Sequence, residues 1–489
     1  MSINFNNASW SSLVTGLRAF LGLANALLAV RFVGVEAYGQ LITVLSVFVI
    51  YVSLNTNLYT ILVLKLTSYA GLEQQSERSE ILMAATLLTG SSLLVLGVTT
   101  VLIYWQSPDF LRYGGSTKDG LLLLMGALCG LQVLTALQGA LVEASGRLDL
   151  TMKAQLTGPA ALLAILAAMV LLNRPISGKE YLEILCVSAI LDLGVIWLIR
   201  RLKAGPIRWR KLDLKTIKQL SALVSAGSPL QATALMNLFL DPLNRILLGY
   251  FNEAASVTIY DLAMKIIWGI QSLFTSAMRV FLYLNDPSES RINQAYIHVI
   301  SLIVVPTLII HTVGAAFLYC VANWWVAIDL QSLLLFYSVA TLSNLGMIFV
   351  TPLYIRLINR QDLGFIVKSQ TILAFTNTAA SILTIPLFGL FGAAIGLLIA
   401  TLYNVPAIYR RYQRKVAPLD GLTKLLAPTL ILRAGLALGL FAATIYASMS
   451  GRVSLLLAVA LGAGLFLMII TEPLTRRIVT SFYINAMGK

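Results

Sequence analysis

Charged side chains are scarce in this chain, and their scarcity excludes most classes of protein. Of its 489 residues, 11% are charged and 58% are hydrophobic, whereas a soluble domain carries about 25% charged residues. The mean hydropathy is +0.84. This balance excludes a water-soluble enzyme, a disordered protein and a nucleic-acid-binding protein with a tethered anchor. It predicts an all-α protein that crosses a membrane many times, because long apolar segments in lipid must satisfy their own backbone groups as helices.

Cysteine and histidine are also rare, which argues against a metal site and a disulfide framework. Cys129, Cys186 and Cys320 lie singly in apolar runs, so we expect neither a metal site nor a disulfide framework. His298 and His311 stand thirteen positions apart on one predicted helix and face roughly opposite ways, so they cannot share a metal. We interpret each as a hydrogen-bonded interior histidine, with a proton relay as the alternative.

Catalytic motifs are missing as well. The sequence has no Gly-rich phosphate loop ending in Lys and Ser or Thr, so we do not expect ATP hydrolysis. It shows no Ser-His-carboxylate order and no paired carboxylates of the kind that hydrolyse or transfer glycosides. No loop is long enough to fold as a separate soluble domain. We therefore predict a transporter without cofactor or metal, and not an enzyme.

What the chain does have is a series of about 14 apolar segments, each near the roughly 20 residues that span a bilayer as a helix. The candidate spans are 10–32, 39–64, 81–105, 120–142, 152–172, 181–199, 220–250, 257–284, 295–320, 330–355, 363–387, 392–409, 425–449 and 453–471.

The basic residues predict how these spans are oriented. The formal net charge is +14, and with the N-terminus inside, most Lys and Arg fall in inward loops, which places both termini in the cytoplasm. We therefore expect no nucleic-acid partner. The longest polar interval, the basic stretch 200–219, divides the spans into six and eight. We interpret it as a cytoplasmic linker between two helical halves, which is compatible with binding to anionic lipid headgroups.

Arg18 is the first ionisable residue placed inside a predicted span. It lies roughly 12 Å into the first span at 1.5 Å per residue, with no acid within a turn or two. An intramembrane Arg must face a cavity or a partner. We interpret it as a substrate-binding residue for phosphate, which guanidinium binds through two parallel hydrogen bonds. The alternatives are snorkelling to the headgroups or a bridge to another helix.

Two acid–base pairs follow in the seventh and eighth spans. Asp241 and Arg245 are four residues apart and share a helix face, and Asp261 and Lys265 repeat that spacing. Each pair is either self-neutralised and fixes helix packing, or presents its cation to a common cavity with the acid tuning it. Arg279 returns to within about 40° of the face of Lys265, so it is a further candidate for that wall, or an anchor at the membrane interface.

The sign of these charges favours an anionic substrate. The candidate substrate-binding residues are the cations Arg18, Arg245, Lys265 and Arg279, and a cationic cavity in hydrocarbon repels a cationic drug. The acids that remain are candidates for ion coupling. They are Asp192, which is unpaired in the sixth span, Asp241 and Asp261.

Three sequence blocks resemble those of a known family. Arg-Phe-Val-Gly-Val-Glu-Ala-Tyr-Gly at 31–39 is similar to the turn after the family's first span, and Asp-Pro-Leu-Asn-Arg-Ile-Leu-Leu-Gly at 241–249 is similar to its seventh span. Pro-Leu-Phe-Gly-Leu-Phe-Gly-Ala-Ala-Ile-Gly at 386–396 resembles its eleventh-to-twelfth hairpin. The chain departs from the pattern at 252–256, which lacks the usual Val-Gly. The resemblance is to the O-antigen and exopolysaccharide flippases of the multidrug/oligosaccharidyl-lipid/polysaccharide (MOP) exporter superfamily.

The physics of these blocks gives expectations of its own. Gly34 and Gly39 permit a tight turn, and Tyr38 suits a membrane interface. Small residues from Gly389 to Gly396 give faces on which helices pack closely.

The resemblance implies an architecture and a substrate. It implies two six-helix lobes around a central cavity, 1–199 and 220–412, with two further helices and a cytoplasmic tail in 413–489. It implies alternating access in the bacterial inner membrane and translocation of a polyprenyl-pyrophosphate-linked oligosaccharide from the cytoplasmic to the outer leaflet. Membrane lipids, a polysaccharide polymerase and a chain-length regulator are the other partners it implies.

Three rivals stay open at this point. An ion-coupled small-molecule antiporter of the multidrug branch predicts acids rather than bases in the cavity. An integral-membrane enzyme of glycan assembly predicts product formation by the purified protein. A scaffold of the export complex predicts tolerance to loss of every cavity cation.

Overall fold

The computed structural model describes most of the chain. The described residues are 5–68, 75–106, 120–145, 147–172, 174–203, 216–219, 238–278, 306–326, 328–360, 362–416 and 428–450, with scattered positions between 221 and 236. Arg279, His298, most of the linker (204–215) and the predicted last span (453–471) lie outside them.

Helices make up the regular structure of these described ranges, and the ranges contain no strand. The helices are α1 (Phe5–Val33), α2 (Val35–Ser68), α3 (Gln75–Gln106), α4 (Leu121–Ala144), α5 (Leu148–Ala154), α6 (Thr157–Leu171), α7 (Gly178–Lys203), α8 (Pro242–Phe251), α9 (Ala254–Met278), α10 (Pro306–Trp325, whose last turn is π-helical), α11 (Leu330–Asn359), α12 (Leu363–Phe388), α13 (Leu390–Lys415) and α14 (Pro428–Met449).

The predicted fold class, an all-α membrane protein of many spans, is confirmed. Nine of the described helices are long and apolar enough to cross a membrane, and Val35–Val49 and Leu436–Met449 are shorter apolar helices. The helices extend the predicted spans by a few residues at most ends, because polar terminal turns continue each helix beyond its apolar core.

Two predicted spans are broken rather than continuous. The fifth is divided into α5 and α6 by a turn at Gln155–Leu156, and the seventh is interrupted by a turn at 239–241 before α8. In each case a proline follows the break, Pro159 and Pro242, and a proline cannot donate the hydrogen bond that would continue the helix through the residue four positions earlier. The apolar pattern alone does not show these breaks.

The helices form two groups, a first that contains α1 to α7 and a second that contains α8 to α13, and the groups meet along α1 and α2. In the first group α4 packs against α2, α3 and α7, and in the second α13 packs against α11 and α12. Across the groups, α1 packs on α9, and α2 packs on α8 and α9. Leucine, isoleucine and alanine side chains from both groups fill the seam between them.

Tight turns define one end of the molecule. Gly34 is the single residue between α1 and α2, with φ of +97°, and Gly389 separates α12 from α13 with φ of +55°. Glycine adopts such left-handed angles without steric cost. A small cavity brings Val35, Asn252, Asp329 and Gly389 together, so four turns lie at this end, which we call the Gly34 end.

Small residues allow helices to approach closely, as predicted for the 389–396 segment. A Cβ added to Gly392 would lie 2.2 Å from the carbonyl oxygen of Thr384, and one added to Gly39 would lie 1.8 Å from that of Ala254. Gly39 therefore serves the contact between α2 and α9 rather than the turn itself.

Candidate functional site

Asp241, Arg245, Asp261 and Lys265 form one continuous charge network. Arg245 Nη2 lies 2.9 Å from Asp241 Oδ2 and 3.1 Å from Asp261 Oδ1. Lys265 Nζ contacts the other oxygen of Asp261. Arg245 thus joins two acid–base pairs that the sequence shows only as separate, because the short turn at 252–253 folds α8 back against α9.

Tyr38 connects this charge network to the other group of helices. Its hydroxyl donates to Asp261 Oδ2 at 2.8 Å and accepts from Lys265 Nζ at 3.3 Å. Nearby, Thr258 Oγ1 donates to the carbonyl oxygen of Val35 at 2.6 Å. Tyr38 is 1% exposed, because α9 covers it; that it lies at a membrane interface stays a prediction.

The charge network is buried and balanced. The side chain of Asp261 is fully buried and that of Arg245 is 16% exposed, whereas Lys265 keeps 29% of its surface open. Asp261 lies seven residues into α9, roughly 10 Å along the helix. Two carboxylates and two cations sum to no net charge, which is how a protein tolerates ionised groups at this depth. In this conformation Arg245 and Lys265 are neutralised by acids rather than available to a ligand.

A helix break supplies the geometry of Asp241. The residue precedes Pro242 at the start of α8, where the positive end of the helix dipole favours a carboxylate. Asn377 of α12 covers the same break, since its amide donates to the carbonyl oxygen of Phe239 at 3.0 Å. Broken spans stabilised in this way commonly form transporter binding sites.

Arg18, on α1, lies against the fifth predicted span at the point where that span is broken. Its Nη1 donates to Gln155 Oε1 at 3.0 Å, at the turn between α5 and α6, and the residue is exposed. Asp192 of α7 packs beside Gly158 in the next turn, close enough for Arg18 to interact with it electrostatically. The guanidinium of Arg18 is thus hydrogen-bonded to a neutral amide rather than to a carboxylate.

The predicted site residues therefore fall into two clusters. Arg18 and Asp192 lie together in the first group of helices, and Arg245, Lys265 and both remaining acids lie in the second; Arg279 is outside the described residues. Sequence reasoning missed Tyr38 and the bridge from Arg245 to Asp261. A signal existed for the bridge: Arg245 is seven residues before the turn at 252–253 and Asp261 is eight after it, so a hairpin places them side by side.

His311 is a hydrogen-bonded interior residue, and an intramembrane amide, that of Asn25, joins two helices. Asn25 donates to the carbonyl oxygen of Pro159 at 2.9 Å, across helices. His311 is buried, with Nδ1 2.9 Å from the hydroxyl of Tyr337 and Nε2 3.3 Å from the amide of Asn344. The prediction of an interior, hydrogen-bonded histidine is confirmed for His311.

Solved structures with the same fold exist, although no family model and no curated protein matches the chain. The lipid II flippase MurJ in an inward closed conformation matches with a TM-score of 0.67 at 14% identity, covering 95% of this chain and 99% of that one. An inward-facing MATE-family multidrug resistance transporter of the MOP superfamily gives 0.67 at 11% identity, covering 84% and 99%. An outward-facing MATE-family structure gives 0.58 at 14%, covering 85% and 96%. The chain has the fold of MOP-superfamily exporters, as the sequence resemblance implied.

Proposed function

We propose that this protein, built on the MOP exporter fold, is a flippase. Its substrate is a polyprenyl-pyrophosphate-linked oligosaccharide, which it moves from the cytoplasmic to the outer leaflet of the bacterial inner membrane by alternating access for O-antigen or exopolysaccharide assembly. Both termini lie in the cytoplasm, and a polysaccharide polymerase and a chain-length regulator use its product. The protein catalyses no covalent step.

The observation that carries this proposal is the state of Arg18. An exposed guanidinium on a membrane-spanning helix, bonded to an amide rather than a carboxylate, keeps its positive charge available. Moving a pyrophosphate through hydrocarbon without a cation to meet it costs many kcal/mol. A fixed cation beside a helix break supplies the first such partner.

The extent of the structural match supports the same choice. The MATE alignment covers 84% of this chain, whereas the alignment to the lipid II flippase covers 95%. At the same TM-score of 0.67, the alignment to the lipid II flippase therefore extends over more of this chain.

Arg245, Lys265 and Arg279 are the other proposed phosphate-binding residues. Arg245 and Lys265 are held by Asp241 and Asp261 while no substrate is bound. A pyrophosphate that enters between the two groups of helices replaces the carboxylates of Asp241 and Asp261 as the partner of these cations. The two displaced carboxylates then lose their cation partners. This exchange links substrate binding to the contact between α2 and α9.

The second candidate function is an ion-coupled small-molecule antiporter. It is favoured by the two buried acids, Asp241 and Asp261, which sit where an ion could replace Arg245 or Lys265. It predicts that Asp241→Asn or Asp192→Asn abolishes drug resistance and leaves surface polysaccharide unchanged.

The test of the proposal uses Arg18→Ala and Arg18→Lys in cells deleted for this protein. Surface polysaccharide is measured together with the level of protein in the membrane. We expect Arg18→Ala to reduce polysaccharide about tenfold or more, since hydrogen bonds to charged groups contribute about 1.5–3 kcal/mol, and Arg18→Lys to restore part of it. Arg201→Ala is the matched control. It also removes a guanidinium, but that of Arg201 stacks on the ring of Trp197 at the end of α7, whereas that of Arg18 bonds to Gln155 at the break between α5 and α6. Normal polysaccharide with Arg18→Ala at full protein level would contradict the proposal.

A further inference from the structure

A cavity of about 480 Å³ lies within the second group of helices, between α9, α11, α12 and α13. Its wall combines apolar side chains with the amides and hydroxyls of Gln271, Thr275, Asn344 and Gln370, and Trp268 contributes an indole that is 45% exposed. No Asp, Glu, Lys or Arg lines it within the part of the chain that the structure describes.

The chemistry of this wall excludes most ligands. A cation would find no counter-ion there, and a pyrophosphate would find no cation, so either ion would be desolvated without compensation. A purely apolar ligand would offer no partner to the amide of Gln271 at the cavity wall, and an unpaired buried amide costs about 1–3 kcal/mol. A neutral ligand rich in hydroxyl groups with apolar faces satisfies both parts of the wall, and the volume lies within the range of about 300–1,000 Å³ of ligand pockets.

Hydrogen bonds behind the cavity wall also fix the orientation of Asn344. Asn344 reaches the cavity while its amide nitrogen lies 3.3 Å from His311 Nε2, and His311 is fixed in turn by the buried hydroxyl of Tyr337. Side chains whose orientation is set by a supporting layer bind with less loss of conformational freedom. Such support is typical of a binding surface.

Helix α9 connects this cavity to the charge network. Trp268, Gln271 and Thr275 follow one another at spacings of three and four residues and face the cavity. Lys265 lies three residues before Trp268, about 60° around the helix. One helix thus presents hydrogen-bonding groups to the cavity and the cation of Lys265 to the contact between the two groups.

We propose that this cavity binds the neutral saccharide of the substrate while the cations bind its pyrophosphate, an inference that rests on the proposed function. Specificity for the glycan then lies in α9, α11 and α12, and affinity for the phosphate lies in the charge network and at Arg18.

The experiment compares two lipids on the full-length protein in nanodiscs. One is undecaprenyl pyrophosphate without sugar, and the other is the lipid-linked oligosaccharide purified from cells deleted for this protein. Gln271→Leu and Thr275→Val are nearly isosteric changes at partly exposed positions. Gln138→Leu in α4 makes the same exchange outside the cavity and serves as the control.

We expect each cavity variant to weaken binding of the glycan-bearing lipid about 3- to 10-fold, the effect of one neutral hydrogen bond, and to leave binding of the bare lipid unchanged. Arg18→Ala weakens both. Unchanged binding of the glycan-bearing lipid, or equal weakening of both lipids by the cavity variants, would overturn the inference and leave the proposed function standing. Failure of the wild type to bind either lipid would overturn the proposed function and the inference with it.

Discussion

Asp261 is shared by three partners that come from three helices. Lys265 lies one turn away on α9, Arg245 reaches it from α8, and the hydroxyl of Tyr38 reaches it from α2. A fully buried carboxylate is stable when cations and hydrogen-bond donors surround it, and removing it leaves the cations without compensation. The residue therefore controls both the charge balance and the contact between the two groups of helices.

The first prediction concerns this balance. Asp261→Asn leaves one acid for two cations, and we expect a loss of stability of about 3–5 kcal/mol. Asp261→Asn combined with Lys265→Met restores the balance and should be less destabilising than the single change. The measurement is the apparent melting temperature of the detergent-solubilised protein, with Asp329→Asn as an exposed control. A double variant less stable than Asp261→Asn alone would contradict the assignment.

The second prediction concerns Tyr38. Tyr38→Phe removes a hydrogen bond to a charged group but keeps the ring, so we expect a loss of about 1.5–3 kcal/mol, smaller than that of Asp261→Asn. The same melting experiment checks the order of the two variants. A Tyr38→Phe protein as unstable as Asp261→Asn would mean that packing, rather than the shared carboxylate, sustains the contact.

Part of this site could be predicted from the sequence. The spacing of four residues identified each acid–base pair, since neighbours one turn apart share a helix face. The partner from α2 could not be found, because no local pattern relates Tyr38 to Asp261, which follows it by 223 positions. The sequence also did not show whether Arg245 and Lys265 are free or paired with acids, because the pairing depends on the turn that brings α8 against α9.

At the scale of helices, hydropathy predicted where spans lie and missed where they break. A run of apolar residues looks the same whether the helix within it is continuous or interrupted. Pro159 and Pro242 were the available signals, and both breaks contact candidate site residues: Gln155 at the first contacts Arg18, and Asp241 at the second contacts Arg245. The local rule fails where the protein places polar groups inside the membrane.

The third prediction compares two helical glycines. A Cβ at Gly39 would meet the carbonyl oxygen of Ala254, which is backbone and cannot move aside, whereas a Cβ at Gly22 would meet nothing within 4 Å. Gly39→Ala should therefore separate α2 from α9 and lower both the melting temperature and the amount of protein in the membrane. Gly22→Ala should be neutral or stabilising by up to about 1 kcal/mol. Equal behaviour of the two variants would refute the close contact.

At the scale of the whole molecule, the two groups of helices must change their contact if transport uses alternating access. A Cβ on Gly269 of α9 would lie 3.2 Å from the Cβ of Ala19 of α1, close to the distance of about 3.5–4.5 Å in disulfides. This pair lies far from the Gly34 end on α1, so a bond there would hold α1 against α9 at a contact that alternating access is expected to open.

The fourth prediction is a reversible lock. Ala19→Cys with Gly269→Cys, in a background of Cys129→Ala, Cys186→Ala and Cys320→Ala, should form a disulfide, stop transport and recover on reduction. Gly139→Cys with Thr151→Cys joins α4 to α5 within one group, where Thr151 Oγ1 donates to the carbonyl oxygen of Gly139, and should leave transport intact. Transport that continues with the first pair oxidised would exclude separation of α1 from α9.

The most direct measurement reconstitutes the purified protein in liposomes with the lipid-linked oligosaccharide labelled on its sugar and followed by an impermeant quencher. We expect the wild-type protein to expose the sugar on the far leaflet, Arg18→Ala to fail, and an organic cation to remain untransported in the same liposomes. Movement of the cation with no movement of the lipid-linked sugar would contradict the account and assign the protein to drug export.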